Sequence, residues 1–254
     1  SRGLGDVYKR QVLHHVIHNY AVPGDEILIT DWHWGAYNSL IDYPNNKVST
    51  FEFLNEEGQF NLISFREKVD EILNRQKNLV IILNGIANNP TGYSMSVSEW
   101  QAAVDVLKAA VEGKDKNVIL VPDVAYLDYS GEKEECRKFF KVFGNLPKNI
   151  LVIVAYTLSK GFTLYGQRQG AMIAVTSDKD VAKEFVDVNQ YASRATWSNC
   201  NSAAQNVMID ICSDPEEIRR LDRERDVYYK LIQERAAVFV KDCLLYTSDA
   251  ADDS

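Results

Sequence analysis

Leu79-Val80-Ile81-Ile82-Leu83 is an unbroken run of branched aliphatic residues, closed by Asn84-Gly85. A strand with one wet face alternates apolar and polar residues, whereas a strand covered on both faces reads as a continuous apolar run. The stretch therefore predicts a central strand of a parallel sheet. Similar runs recur at Val118–Val121, Leu151–Ala155 and Ala171–Val175, and shorter strands are expected at Glu26–Thr30 and Val48–Phe53. Helical spacing separates them. Val12–Tyr20 reads as a helix, and Leu62, Phe65, Val69, Ile72 and Leu73 repeat every three or four residues. Ser96-Val97-Ser98-Glu99 is a capping box that opens a helix carrying Trp100, Val104, Leu107 and Val111. Further helices are expected at Val181–Tyr191, Ala203–Cys212 and Glu216–Val240. Strands alternating with helices predict the α/β class, with a doubly wound, mainly parallel sheet lying between helices.

Composition narrows what such a fold does here. The 254 residues include 28 Lys+Arg against 36 Asp+Glu, a formal net charge of −8, with 46% apolar and 25% charged residues. That acidic balance argues against nucleic acid or an anionic membrane as a partner, since both select clustered positive charge. No apolar run approaches the ~18 residues of a membrane span. The four histidines (His14, His15, His18, His33) all fall early, so a Ser-His-Asp set would have to take its base from there. His14 and His18 lie one helical turn apart, but no cysteine or carboxylate pair completes a metal site, and they read as helix surface or core. The cysteines (Cys136, Cys200, Cys212, Cys243) are scattered without a C-x-x-C, as expected of reduced thiols in the cytoplasm. The charges crowded into Glu216–Asp226 read as a solvated helix face with i,i+4 pairs.

The ends look unlike the middle. Residues 1–11 show no helical or strand period, and residues 243–254 break off a good helical pattern; both resemble translated sequencing-adapter read-through. The fold is therefore expected over residues 12–242, as an internal piece of a longer protein.

In open α/β sheets, ligands bind beyond the carboxyl ends of the strands. Asn84 and Asn88-Asn89-Pro90-Thr91-Gly92 follow the first central strand, Pro122-Asp123 and Tyr126 the second, and Tyr156-Thr157-Leu158-Ser159-Lys160 the third. Each has a bland reading: a turn signal, a cap or surface acid, a solvated amine. Together they deliver an amide, a carboxylate and an amine to one rim. Pyridoxal phosphate needs that set. Its aldehyde takes a lysine, its ring nitrogen a carboxylate that keeps it protonated, its phenolic oxygen donors such as Tyr126 and Asn89, and its phosphate the hydroxyls of Thr157 and Ser159 with Arg168.

The order Asn89-Pro90-Thr91-Gly92, Asp123-x-x-Tyr126, Ser159-Lys160-x-x-x-x-x-Gly166-x-Arg168-x-Gly170 resembles the class I aminotransferases of PLP fold type I. Trp34-Gly35, Leu164–Arg168 and Arg194–Asn199 are similar to the aspartate and aromatic subgroup. The resemblance implies a partial cofactor-binding large domain over residues 12–242, with the phosphate loop before it and the small domain after it. It implies that Lys160 forms a Schiff base with pyridoxal phosphate and acts as the catalytic base. Asp123 and Tyr126 assist, and Trp34 stacks over the ring. Asn89 also meets substrate, and Arg194 reaches the neighbouring site of a homodimer to recognise a dicarboxylic or aromatic amino acid. The activity implied is transfer of an amino group to a 2-oxo acid. A β-lyase or decarboxylase of the same fold type, or a non-catalytic sensor domain of a transcriptional regulator, are the alternatives. Two positions depart from the subgroup: Tyr37 and Asn84 stand where histidines are usual, and a tyrosine at 37 retains a donor for Asp123.

Overall fold

A computed structural model describes residues 9–252 and the side chains of residues 9–243. The chain forms two compact units that divide between Asn201 and Ser202.

The first unit is built on a six-stranded sheet in the order β2-β1-β3-β4-β5-β6. The strands are β1 (Glu26–Thr30), β2 (Lys47–Phe51), β3 (Asn78–Leu83), β4 (Asn117–Pro122), β5 (Ile150–Thr157) and β6 (Gly170–Val175). All neighbours are parallel except β5 and β6. The helices are α1 (Lys9–Tyr20), α2 (Ala36–Asp42), α3 (Leu62–Arg75), α4 (Val97–Val111), the four-residue α5 (Leu158–Gly161) and α6 (Lys179–Thr196). Alternate residues of the central strands feed two separate cores. Leu79, Ile81, Leu83, Val118, Leu120, Val152 and Val154 pack with α3 and α4. Val80, Ile82, Ile119, Val121, Leu151 and Ile153 pack with α1, α2 and α6. The continuous apolar runs exist because both cores draw on them. With each buried aliphatic side chain contributing about 1.5–3 kcal/mol, these strands are rigid mounts for whatever follows them.

The capping box opens α4 as expected: Ser96 Oγ accepts from the Glu99 amide at 3.2 Å, and Glu99 accepts from the Ser96 amide at 2.7 Å. Four expectations shift. The last strand is not a further parallel strand buried on both faces. The link over residues 158–169 carries only α5 and a 3-10 turn, too little for a crossover, so β6 returns antiparallel and forms a half-covered edge. β2 stops at Phe51 rather than Phe53, because the Glu52 and Phe53 amides donate to Ser64 Oγ (3.0 Å) and Asp31 Oδ1 (2.9 Å) instead of the ladder. α1 begins at Lys9, three residues before Val12. Lys, Arg and Gln at 9–11 are good helix formers, and Lys9 is anchored by an ion pair described below. Helix α2, whose apolar residues are too few to set a period, was not foreseen.

The second unit is the helix pair α7 (Ser202–Ser213) and α8 (Pro215–Asp252). α8 continues past residue 242 instead of ending at Val240. Its charged first turns are laced by pairs such as Arg219–Glu216 (2.9 Å) and Arg220–Glu224 (3.8 Å), as a solvated face requires. Residues 1–8 and 253–254 of the expected foreign ends lie outside the described residues. Among the described residues no helix is long and apolar enough to cross a membrane.

Candidate active site

Chain order reverses in the sheet at β1, which has β2 on one side and β3 on the other; such a switch point opens a crevice at the carboxyl ends of the strands. Four adjacent strand ends meet there. Trp34 follows β1, Asn89 follows β3, Asp123 and Tyr126 follow β4, and Lys160 follows β5.

Asp123 is the best-anchored of them and is 1% exposed. Its amide donates to the Leu83 carbonyl at 3.0 Å, and the next amide, Val124, donates to the Ala155 carbonyl at 3.2 Å, so neighbouring strands hold it from both sides. Oδ1 accepts from the Ala125 amide at 3.1 Å. Oδ2 accepts from the Tyr37 hydroxyl at 2.5 Å and from Lys9 Nζ at 2.8 Å. A carboxylate at this depth requires such donors. Burial first, then the Asp123 charge and hydrogen bond, push the Tyr37 phenol well above its ordinary pKa, which keeps it a donor.

Trp34 meets Tyr37 edge-on at 5.7 Å, and the Lys9 ammonium lies 4.6 Å from the Trp34 ring centre. Lys160 is half-buried, with Nζ 5.5 Å from the Tyr126 ring and 4.8 Å from the Tyr165 ring. Thr157 caps α5: its Oγ1 accepts from the Ser159 amide at 3.2 Å and donates to Ser159 Oγ at 3.0 Å. Arg168 closes the same connection in a left-handed conformation, donating to the Tyr165 carbonyl and stacking 5.3 Å from that ring.

The Asn89 turn is held by two asparagines beneath it. Asn88 Oδ1 accepts from Thr91 amide and hydroxyl at 3.1 and 2.8 Å. Asn84, 3% exposed, donates from Nδ2 to the Asp123 carbonyl (2.8 Å) and accepts at Oδ1 from the Asn89 amide (2.7 Å). One side chain thus ties two of the foreseen site residues together. Gly92, at φ +74°, completes the turn in a conformation that favours glycine.

Arg194 stands apart, on the exposed last turn of α6, donating to Ser198 Oγ. Among the described residues, no hydrogen bond or ion pair joins it to the Lys160–Asp123 group.

Sequence reading missed three contributors. Lys9 falls in the segment set aside as foreign, and nothing in spacing tied it to a residue more than a hundred positions later. Tyr165 lies in the Lys-to-Arg link, where no spacing singles out its ring as a neighbour of Lys160. Asn88 sat in a turn whose proline and glycine drew attention first; its side-chain amide, immediately before an Asn-Pro, was an available signal for an Asx-type brace.

The arrangement fits pyridoxal phosphate. A cationic nitrogen, that of Lys9, already rests on the buried Asp123 oxygen and against the Trp34 face, which is the environment a protonated ring nitrogen requires. An amine flanked by two tyrosines stands at the neighbouring strand end. Fold and site therefore define an α/β domain with a lysine and a carboxylate on one rim.

Comparison with known proteins carries this to a family. Residues 11–245 match the model described as aminotransferase class I and II, and the chain belongs to that family. It is 24% identical over 226 residues to an aspartate aminotransferase of Pseudomonas aeruginosa, covering 85% of this chain and 54% of that protein. It is 24% identical over 198 residues to an aromatic-amino-acid aminotransferase of the same organism, covering 78% and 47%. A crystal structure of an aminotransferase from Anaerococcus prevotii superposes with a TM-score of 0.91 at 33% identity, covering 94% of this chain and 58% of that one. The chain thus spans about half the length of these relatives. An aromatic-amino-acid aminotransferase from Burkholderia pseudomallei, solved covalently bound to pyridoxal phosphate, shares the fold at a TM-score of 0.73 and 21% identity.

Proposed function

We propose that this chain carries the cofactor-binding part of an aminotransferase that moves an amino group between an amino acid, dicarboxylic or aromatic, and a 2-oxo acid. The observation that carries the proposal is the buried Asp123 carboxylate, holding a cationic nitrogen at 2.8 Å beside Trp34, one strand away from Lys160.

Pyridoxal phosphate, when bound, supplies an electron sink and an aldehyde. Lys160 is the amine that would hold the aldehyde, and its Nζ, when free of it, would be the general base that moves the substrate Cα proton. In place of Lys9 Nζ, Asp123 Oδ2 would accept from the ring N–H and favour its charged form, with Tyr37 holding that oxygen in place. Tyr126 and Asn89 donate to the phenolic oxygen, Thr157, Ser159 and Arg168 hold the phosphate, and Trp34 covers the ring face. Asn89 also meets the substrate. Arg194 serves the site of a second copy in a homodimer, where a guanidinium pairs bidentately with a distal carboxylate. The setting is the cytoplasm, supported by four cysteines without a disulfide.

The test uses the 254-residue chain incubated with pyridoxal phosphate and reduced with borohydride. Peptide mass spectrometry is expected to find the cofactor fixed on Lys160, and Lys160→Ala is expected to abolish that product. Fixation elsewhere, with none at Lys160, reassigns the lysine. Turnover dependent on a 2-oxo acid separates transamination from lyase or decarboxylase chemistry in the same fold.

A further inference from the structure

Gly161 directly follows Lys160, is buried, and has no room for a side chain. A Cβ there would lie 1.9 Å from Asp128 Oδ2 and 2.7 Å from Asp128 Cγ. Its φ is not in the left-handed region, so the glycine answers to the carboxylate above it rather than to the backbone. Asp128 belongs to the 3-10 turn Leu127–Tyr129, immediately after Tyr126, and its side chain is 6% exposed. Its Oδ1 accepts from Arg137 Nη2 at 2.6 Å, and its Oδ2 lies 3.5 Å from the Tyr156 hydroxyl on β5, four residues before Lys160. Arg137 sits in the 3-10 helix Glu135–Phe143 and also donates to the Lys133 carbonyl at 2.9 Å. One carboxylate therefore joins the turn carrying Tyr126, the end of β5 and the turn carrying the lysine. A carboxylate buried this far stays only with a matched charge, which Arg137 provides.

We propose that Asp128, charge-matched by Arg137, is a positioning residue for Lys160: it seats the Lys160–Gly161 backbone so that the amine stands beside Tyr126. The proposal rests on the reading of Lys160 as the cofactor-bearing amine. Gly161 is its complement, since only hydrogen at that position lets the carboxylate approach.

The test compares wild type with Asp128→Ala, Asp128→Asn, Gly161→Ala and the double variant Asp128→Ala/Gly161→Ala. Two ratios are measured by peptide mass spectrometry. One is pyridoxal phosphate fixed by borohydride on Lys160 relative to the surface residue Lys183. The other is acetylation of the same two lysines by an activated ester without cofactor. Asp128→Ala and Gly161→Ala are each expected to lower the fixation ratio about tenfold and to change the acetylation ratio at least about threefold, as loss of orientation predicts. The Asn variant, which keeps shape and acceptor, stays near wild type. The double variant matches Asp128→Ala instead of compounding the two losses, because the added methyl then has space. A loss of thermal stability with both ratios unchanged overturns the proposal and leaves the functional reading intact. Absence of fixation on wild-type Lys160 overturns the functional reading, and the acetylation ratio then decides the positioning role by itself. If Asp128→Ala does not fold, an unchanged ratio in Gly161→Ala overturns the proposal.

Discussion

Replacing Tyr37 by Phe removes one atom from the heart of the site. The hydroxyl donates to Asp123 Oδ2 at 2.5 Å, and both side chains are 1% exposed, so no water takes its place. Hydrogen bonds to a charged partner contribute about 1.5–3 kcal/mol, and a buried acceptor left short of a donor sits at the upper part of that range. Lys9 Nζ and the Ala125 amide remain on the carboxylate, which limits the loss. The expected destabilisation is about 2 kcal/mol, or roughly 4–8 °C in the thermal midpoint for a chain of this size. Urea unfolding of wild type and variant without cofactor measures it directly. The affinity for pyridoxal phosphate is expected to fall in parallel, since the same oxygen is offered to the ring nitrogen. Alkaline pH offers an internal control. The Tyr37 pKa is raised in the folded state, so its contribution is complete below the ordinary value of 10 and is lost as pH rises above it. The variant therefore flattens the wild-type decline in stability above pH 10. A change below about 0.5 kcal/mol, the scatter of ordinary surface substitutions, refutes the assignment of Tyr37 as the donor that fixes Asp123.

Two other perturbations read separate parts of the molecule. Burial, and secondarily the neighbouring His14 and His18, push His15 down to about 4 from 6.5. A depressed folded value penalises the fold only where the unfolded chain takes up a proton. Stability is thus unaffected above pH 6.5 and falls by up to about 3 kcal/mol as pH drops toward 4; thermal scans at pH 7 and 4.5 should show the loss in wild type and not in His15→Leu, and an equal loss in both rules it out. Asn84→Ala cuts the link between the Asp123 carbonyl and the Asn89 amide, at an expected cost of about 1–3 kcal/mol, chiefly for the buried Asp123 carbonyl left short of a partner, the Asn89 amide being half-buried; a urea midpoint within error of wild type would show that the turn holds itself.

Much of the sheet was legible because its residues are constrained from two sides. Leu79–Leu83 and Leu151–Ala155 feed both cores, and no other pattern satisfies that geometry. Asn89, Asp123, Tyr126 and Lys160 were legible for a related reason: ligand groups follow strand ends, and strand ends are easy to find. The direction of β6 was not, since an apolar run carries no arrow; only the short link over residues 158–169 sets it. Lys9 was invisible as a partner of Asp123, and so was the seat of Asp128 on Gly161. Both pairs are contacts between segments far apart in sequence or on different elements, with no period to announce them.

The linear order of residues, by itself, determined the α/β class, the helix caps and the set of polar groups delivered beyond the strands, because these depend on local periodicity and on covalent neighbours. Only the tertiary structure decided how those groups are held: which donors satisfy the Asp123 carboxylate in a dry setting, what ties Asn89 to it, and what seats the turn of Lys160. Burial and long-range hydrogen bonding act through space, and the chain fixes them only after it has closed on itself.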